Sequence, residues 1–213
     1  MRILVTAFEP FDGEATNPSL DAVRLMPPHL DGMQIDRLEV PTAFGRSVDV
    51  VIAAIGRLEP DAVLCVGQSG GRGAVTPERV AINLDDARIP DNAGDQPIDR
   101  MIDPDGPPAI FSTLPVKAMV QAIRDNGVPA ELSNTAGTYV CNHLMYGVLR
   151  HAQRERPRMR SGFVHVPYSP EQAAAHPGAP SLPVEDTGRA LIAALRAIGA
   201  HDADLAVPLG ATH

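Results

Sequence analysis

Cysteine is scarce in this chain. Its 213 residues contain only Cys65 and Cys141, far apart, which excludes a disulfide framework and a CxxC metal signature. Excess positive charge is also missing: the formal net charge is −8 and the isoelectric point is near 5.3. No basic stripe exists to follow a phosphate backbone, so a nucleic-acid partner is excluded. The densest basic cluster, Arg150 to Arg160, reads as a solvated helix end. No apolar run approaches the roughly 20 residues that cross a bilayer. Met1 runs directly into a strand pattern, without a charged, apolar and cleavable succession ahead of it. These absences lead to the expectation of a soluble, cytoplasmic protein that works without membrane, metal or other cofactor.

What is present suits one ordinary core. Hydrophobic residues make up 44% and charged residues 21%, the balance of a globular chain. The 21 prolines and 18 glycines mark many turns. Residues 1–213 are expected to form a single domain. Arg2 to Ala7, Met33 to Val40, Ala62 to Val66 and Ser161 to Val166 read as strands. Pro18 to Leu25, Phe44 to Leu58, Val116 to Asn126, Cys141 to Gln153 and Val184 to Ile198 read as helices. The alternation predicts an α/β fold: a three-layer sandwich whose twisted, mostly parallel sheet is flanked by helices. Leu84 to Pro108, rich in Asp, reads as a solvated loop, because it lacks the spacing of a calcium-binding loop. Pro170 to Pro183 reads as an irregular flap, and the chain after Gly199 is expected to fray.

Cys141 falls near a helix start. Leu144, Met145, Val148 and Leu149 follow it at helical spacing, and Pro157 lies beyond the end. The positive end of the helix dipole favours an anion there, so the thiol pKa is expected to drop toward neutrality. A buried, inert thiol is the competing reading, and it is the reading for Cys65 inside its strand.

The next element supplies a partner. His165 lies 24 residues after Cys141, room for one helix, a turn and one strand. A helix of ~13 residues covers about 20 Å and a returning strand of ~5 covers about 17 Å. In a βαβ unit these lengths nearly cancel, so Cys141 and His165 should finish at the same edge of the sheet, where ligands bind. His165 is then a candidate general base, although a lone histidine at a strand end is commonly structural. His143, two residues after Cys141, points to another side of its helix and is the weaker candidate.

Ser69 is the rival nucleophile. Gly67-Gln-Ser69-Gly-Gly71 matches G-x-S-x-G after an apolar strand. A nucleophile elbow needs a helix next, and Arg72-Gly73-Ala-Val-Thr-Pro77 opposes one. The segment reads instead as a loop whose backbone groups can meet a ligand. Its glycines also miss the dinucleotide spacing.

Six separated blocks, in order, resemble the pyroglutamyl peptidase I family, the pyrrolidone-carboxylate peptidases. They are Thr6 to Gly13 with Asn17-Pro-Ser19; Gly70-Gly-Arg72 with Pro77 to Asn83; Asp86 to Asn92; Ser112 to Val116; Thr135 to Asn142; and Gly162 to Pro167. The resemblance covers nearly the whole chain. It implies a cysteine exopeptidase that removes N-terminal pyroglutamate from peptides through a thioester, with Cys141 as nucleophile and His165 as base. It also implies Glu78 as the third member, which the residues alone would present as a surface charge beside Arg79. Arg88 resembles a family position that stabilises the oxyanion, although pairing with Asp85 or Asp86 is its plainer reading. Phe8 and Phe11 share one short loop, either as walls of a lactam pocket or as a core anchor for that loop. By resemblance the pocket reading gains backbone groups near Gln68 and Ile89, and Asn17 as a brace. Ala7 and Asp12 stand where glycine is common in the family, which leaves the conformation of that loop open. A homo-oligomer, often a tetramer, is implied by similarity alone. The alternatives are a serine hydrolase using Ser69 and a noncatalytic ligand-binding domain.

Overall fold

The structure is a computed structural model in which residues 1–210 are described. Its framework is a six-stranded sheet. Near-continuous apolar runs build the centre: β1 (Arg2–Phe8), β4 (Ala62–Gln68) and β8 (Arg160–Val166) are buried along almost their whole length. Such runs are what a parallel sheet covered on both faces demands. With β2 (His29–Leu30), β3 (Met33–Val40) and β5 (Thr76–Glu78), the order is β2-β3-β1-β4-β8-β5. The four central strands run parallel, and β2 and β5 close the margins antiparallel.

Strand alternation divides the core in two. Ile3, Val5, Leu64 and Val164 pack with Leu20, Met119 and Leu191 on one face, against α1 (Pro18–Arg24), α3 (Val116–Asp125) and α6 (Val184–Ala200). Their neighbours Leu4, Val63 and Phe163 point the other way and pack with Val51, Ile55, Leu144 and Leu149. Those belong to α2 (Arg46–Leu58) and α4 (Val140–Glu155). The period of two along each strand therefore generates three layers. The expected mainly parallel, helix-flanked sheet is the observed one. No helix among the described residues is long and apolar enough to cross a membrane.

Local chemistry sets the helix ends. Asn17 caps α1, its Oδ1 accepting from the Ser19 amide at 3.0 Å, and Pro18 fills the first turn. Helix α3 begins after Pro115, which offers no side-chain cap. Asp204 supplies one from a distance: its carboxylate accepts from the amides of Lys117 and Ala118 at 3.0 Å.

Three expectations need correction. Residues 201–210 lack regular structure, yet they are tied down rather than frayed, through the Asp204 cap and through Lys117 Nζ donating to the Val207 carbonyl at 2.7 Å. Residues 211–213, part of the same expectation, lie outside the described ones. The Asp-rich loop is not uniformly solvated either: Asp85 and Asp91 are buried. Asp91 accepts amide hydrogen bonds from Phe44, Ala93 and Asp95, which pins the loop against the start of α2. The segment after Pro170 is not wholly irregular, because it opens with the short helix α5 (Pro170–Ala173), capped by Ser169. The sequence also gave no sign of β5, nor of the small ribbon β6 (Val80–Ile82) with β7 (Ala109–Phe111).

Candidate active site

The C-terminal ends of β4 and β8 lie side by side, with Gly67 paired to His165. Helix α4 starts above them, and Cys141 is its second residue. Gly67 is what lets the thiol settle: a Cβ there would come within 2.9 Å of Cys141 Sγ and 2.7 Å of Phe163 Cζ. Cys141 and His165 thus stand at one edge of the sheet and line the same cavity of about 210 Å³. The chain lengths forecast this convergence.

Glu78 arrives from β5, which pairs antiparallel with β8 so that Thr76 faces His165. The carboxylate is wholly buried. His165 Nδ1–H donates to Glu78 Oε1 at 2.8 Å, which fixes the neutral imidazole with Nε2 free to accept a proton. Arg72 Nη1 also donates to Glu78 Oε1, and Oε2 has no partner among the described residues. Burial pushes the His165 pKa down, outweighing the upward pull of Glu78.

The thiol departs from expectation in the opposite sense to a helix-start cysteine. Burial, joined by the charge of Glu78, pushes Cys141 up to about 12, with Arg72 opposing. The helix end offers roughly 0.3–1 kcal/mol, less than one pKa unit at about 1.4 kcal/mol. Loss of solvent dominates. Cys65 is buried in β4 with its thiol likewise raised to about 12, in keeping with an inert core residue.

The remaining expected residues distribute unevenly. Phe8, Phe11 and Gln68 line the cavity, together with Tyr139 and Thr42, which the sequence reading passed over. Phe11 and Tyr139 lie 6.2 Å apart between ring centres, and Tyr139 meets the edge of Phe44 at 5.5 Å. Gln68 Oε1 accepts from Gln172 Nε2 at 3.1 Å, linking the cavity floor to α5. Asn17 is buried outside the lining and donates to the Glu9 carbonyl at 3.2 Å, bracing the loop after β1 that carries Phe11; Phe8 does not share that loop, because it is the last residue of β1 and is buried in the core. Asp12 adopts the left-handed backbone, φ 55, whereas Ala7 sits in the extended strand β1 without that demand. Arg88 is exposed, and among the described residues it makes no hydrogen bond or ion pair and does not line the cavity. Ile89 is half-buried and also outside the lining.

Two residues are set aside by their surroundings. Ser69 touches the cavity, but turns follow it instead of a helix. His143 is buried against Asp85, Nδ1 to Oδ2 at 2.9 Å, and its Nε2 accepts from the Gly45 amide at 2.9 Å. Both of its nitrogens are committed to holding the Asp-rich loop and α2 onto α4. Arg72 was missed by the sequence reading. Its only signal was a lone cation in a glycine-rich loop six residues before Glu78.

A mainly parallel sheet with a thiol and an imidazole–carboxylate pair at its C-terminal edge defines the class: a hydrolase of the α/β peptidases. The model of one such family, described as pyroglutamyl peptidase, matches residues 1–201. The chain belongs to that family. It is 54% identical over 204 residues to a pyrrolidone-carboxylate peptidase of Levilactobacillus brevis, covering 96% of this chain and all of the relative. A pyrrolidone-carboxylate peptidase 1 of Streptococcus pneumoniae is 52% identical over 214 residues, covering 100% of both. Among solved structures, the pyroglutamyl peptidase I of Bacillus amyloliquefaciens superposes with a TM-score of 0.94 at 45% identity, over 97% of this chain and 99% of that one. The pyrrolidone carboxyl peptidase of Thermococcus litoralis gives 0.93 at 33% identity, over 98% and 99%.

Proposed function

We propose that this chain is a cysteine exopeptidase that hydrolyses the amide bond after an N-terminal pyroglutamyl group by way of a thioester. The observation that carries the reading is the hydrogen bond from His165 to buried Glu78 in a cavity that Cys141 also lines. His165 Nε2 takes the thiol proton as Sγ attacks the pyroglutamyl carbonyl carbon. The proton moves to Nε2 as the S–C bond forms. The carbonyl electrons pass to oxygen, and the backbone N–H of Cys141, unpaired at the helix start, is the first candidate donor to that oxyanion. Glu78 holds the imidazole and offsets the charge it gains. As the intermediate collapses the C–N bond breaks and the departing amine takes the proton from His165. Water, deprotonated by His165, then attacks the thioester and frees both pyroglutamate and the thiol.

Phe8, Phe11 and Tyr139 supply an apolar wall for the lactam ring, and Gln68 supplies polar atoms for its amide. Backbone at Ile89, and Arg88 toward the oxyanion, enter this proposal by family resemblance. A free N-terminal glutamate would bring an ammonium into this site without a partner, a costly desolvation. A single domain over 1–213, a cytoplasmic location and a homotetramer belong to the same proposal. Cleavage of a pyroglutamyl chromogenic amide, abolished by a thiol alkylator and by Cys141→Ser but retained in Ser69→Ala, is the expected result. Full activity in Cys141→Ser would remove the nucleophile from this account. Sedimentation of the purified protein checks the subunit count.

A further inference from the structure

Among the described residues, Arg72 is the one cation paired with the buried Glu78 carboxylate. Its Nη1 donates to Glu78 Oε1 and to Thr76 Oγ1, and its Nη2 donates to the Thr135 carbonyl at 3.0 Å. Those contacts fall on β5 and on the loop before α4, and β8 is reached through Glu78 and Thr76. Thr76 lies opposite His165 in the sheet, and Thr135 opens the loop that leads into α4 and Cys141. The guanidinium and the imidazole bond the same carboxylate oxygen, while the other oxygen is buried without a partner. Removing Arg72 would leave Glu78 held by His165 alone.

We propose that Arg72 is a positioning residue for the reaction: it fixes Glu78 beneath His165 and supplies the positive charge that keeps the imidazole–carboxylate pair from taking up an extra proton. The inference rests on the assignment of Cys141, His165 and Glu78 given above. Among the described residues, the titratable and charged groups that face this cluster are Cys141 from α4, Tyr139 just before it, Cys65 from β4, and Arg72 and Glu78 themselves. Arg72 lowers the proton affinity of both Cys141 and His165. With Arg72 present its positive charge offsets that of the Glu78 carboxylate within the cluster. Without it the cluster is a buried anion, and one added proton neutralises it. Once His165 holds that proton it is no longer the base the reaction needs.

The sign follows. Loss of the cation raises the pH at which the pair takes up its proton, so the acid limb of kcat/KM should move to higher pH. A neighbouring opposite charge commonly shifts such groups by about one to three units. The experiment compares the pH dependence of pyroglutamyl amide cleavage, and of iodoacetamide alkylation of Cys141, in the parental protein, Arg72→Met and Arg72→Lys. We expect the Met variant to shift its acid limb upward by about one unit or more, and the Lys variant to restore the limb while losing rate. Should Arg72→Met not accumulate as folded protein, Arg72→Gln, which keeps a donor for the Thr135 carbonyl, carries the same expectation. A neutral variant with a limb at the parental pH and only a reduced amplitude overturns the electrostatic role, as does a Lys variant shifted as far as Met. Activity surviving in Cys141→Ser overturns the inference by another route, because it removes the reaction on which the inference rests.

Discussion

Gly67→Ala tests the placement of the thiol with one methyl group. The added carbon would lie 2.9 Å from Cys141 Sγ and 2.7 Å from Phe163 Cζ, against an ordinary contact of about 3.5–4.0 Å. The sulfur or the backbone beneath it must therefore retreat by roughly 0.6–1 Å. Phe163 cannot take up the strain: it is fully buried, packed against Phe8 at 6.4 Å and against His165 at 4.8 Å between ring centres. Overpacking of this kind costs about 1–3 kcal/mol. At about 2–4 °C per kcal/mol for a chain of this size, the melting temperature should fall by several degrees. A misplacement near 1 Å at a reacting atom costs on the order of 100-fold in rate, so kcat/KM should drop by about that factor with the fold retained. The assay is cleavage of a pyroglutamyl chromogenic amide beside a thermal melt and a count of alkylated thiols. If Gly67→Ala cleaves within threefold of the parental rate and melts at the same temperature, the sulfur does not rest on this glycine.

Other outcomes follow from the same geometry. Burial lowers the His165 pKa and raises Cys141 to about 12, so the imidazole stays a neutral base below the usual 6.5. Cleavage should hold its rate to mildly acidic pH and decline only where His165 gains its proton, while iodoacetamide alkylation keeps accelerating above pH 8. Alkylation that saturates by pH 7 would reveal a standing thiolate and contradict this balance. Asp204→Ala removes the cap of α3 and an anchor of the final segment. It should cost about 1 kcal/mol and a melting shift of about 2–4 °C, with kcat/KM within twofold of parental. His143→Ala strips buried Asp85 of its close partner, since Arg100 stands 3.8 Å away. A loss of about 3 kcal/mol or more in urea unfolding is expected, and a loss under 1 kcal/mol would show that solvent reaches Asp85.

The layout was legible because it depends on lengths and periods. Apolar runs at residues 2–7, 62–66 and 161–166 became the central strands, and α1 begins at Pro18 after its Asn17 cap as the residue types require. Helix and strand lengths were enough to bring Cys141 and His165 to one edge. What the sequence did not reveal depends on contacts distant along the chain. Strand β5 is only Thr76-Pro77-Glu78, too short for a period, and it exists because β8 offers an open margin. Arg72 meets Glu78 only once the glycine-rich loop has closed. The shift of the Cys141 pKa was misjudged because a helix start can be read from neighbours, whereas the burial and the Glu78 charge that push it up come from segments distant along the chain. Asp85 and Asp91 looked solvated for the same reason: their partners, His143 and the Phe44 amide, lie tens of residues away.

The marginal strand has a temporal consequence for the chain as it is made. Thr76–Glu78 align with Phe163–His165, some 87 residues later, so a ribosome must extend the chain past β8 before this carboxylate has anywhere dry to go. Until then Glu78 and Arg72 remain hydrated and the Cys141 thiol has no imidazole beside it. On the proposed assignment, cleavage is therefore withheld from any chain not yet extended past β8.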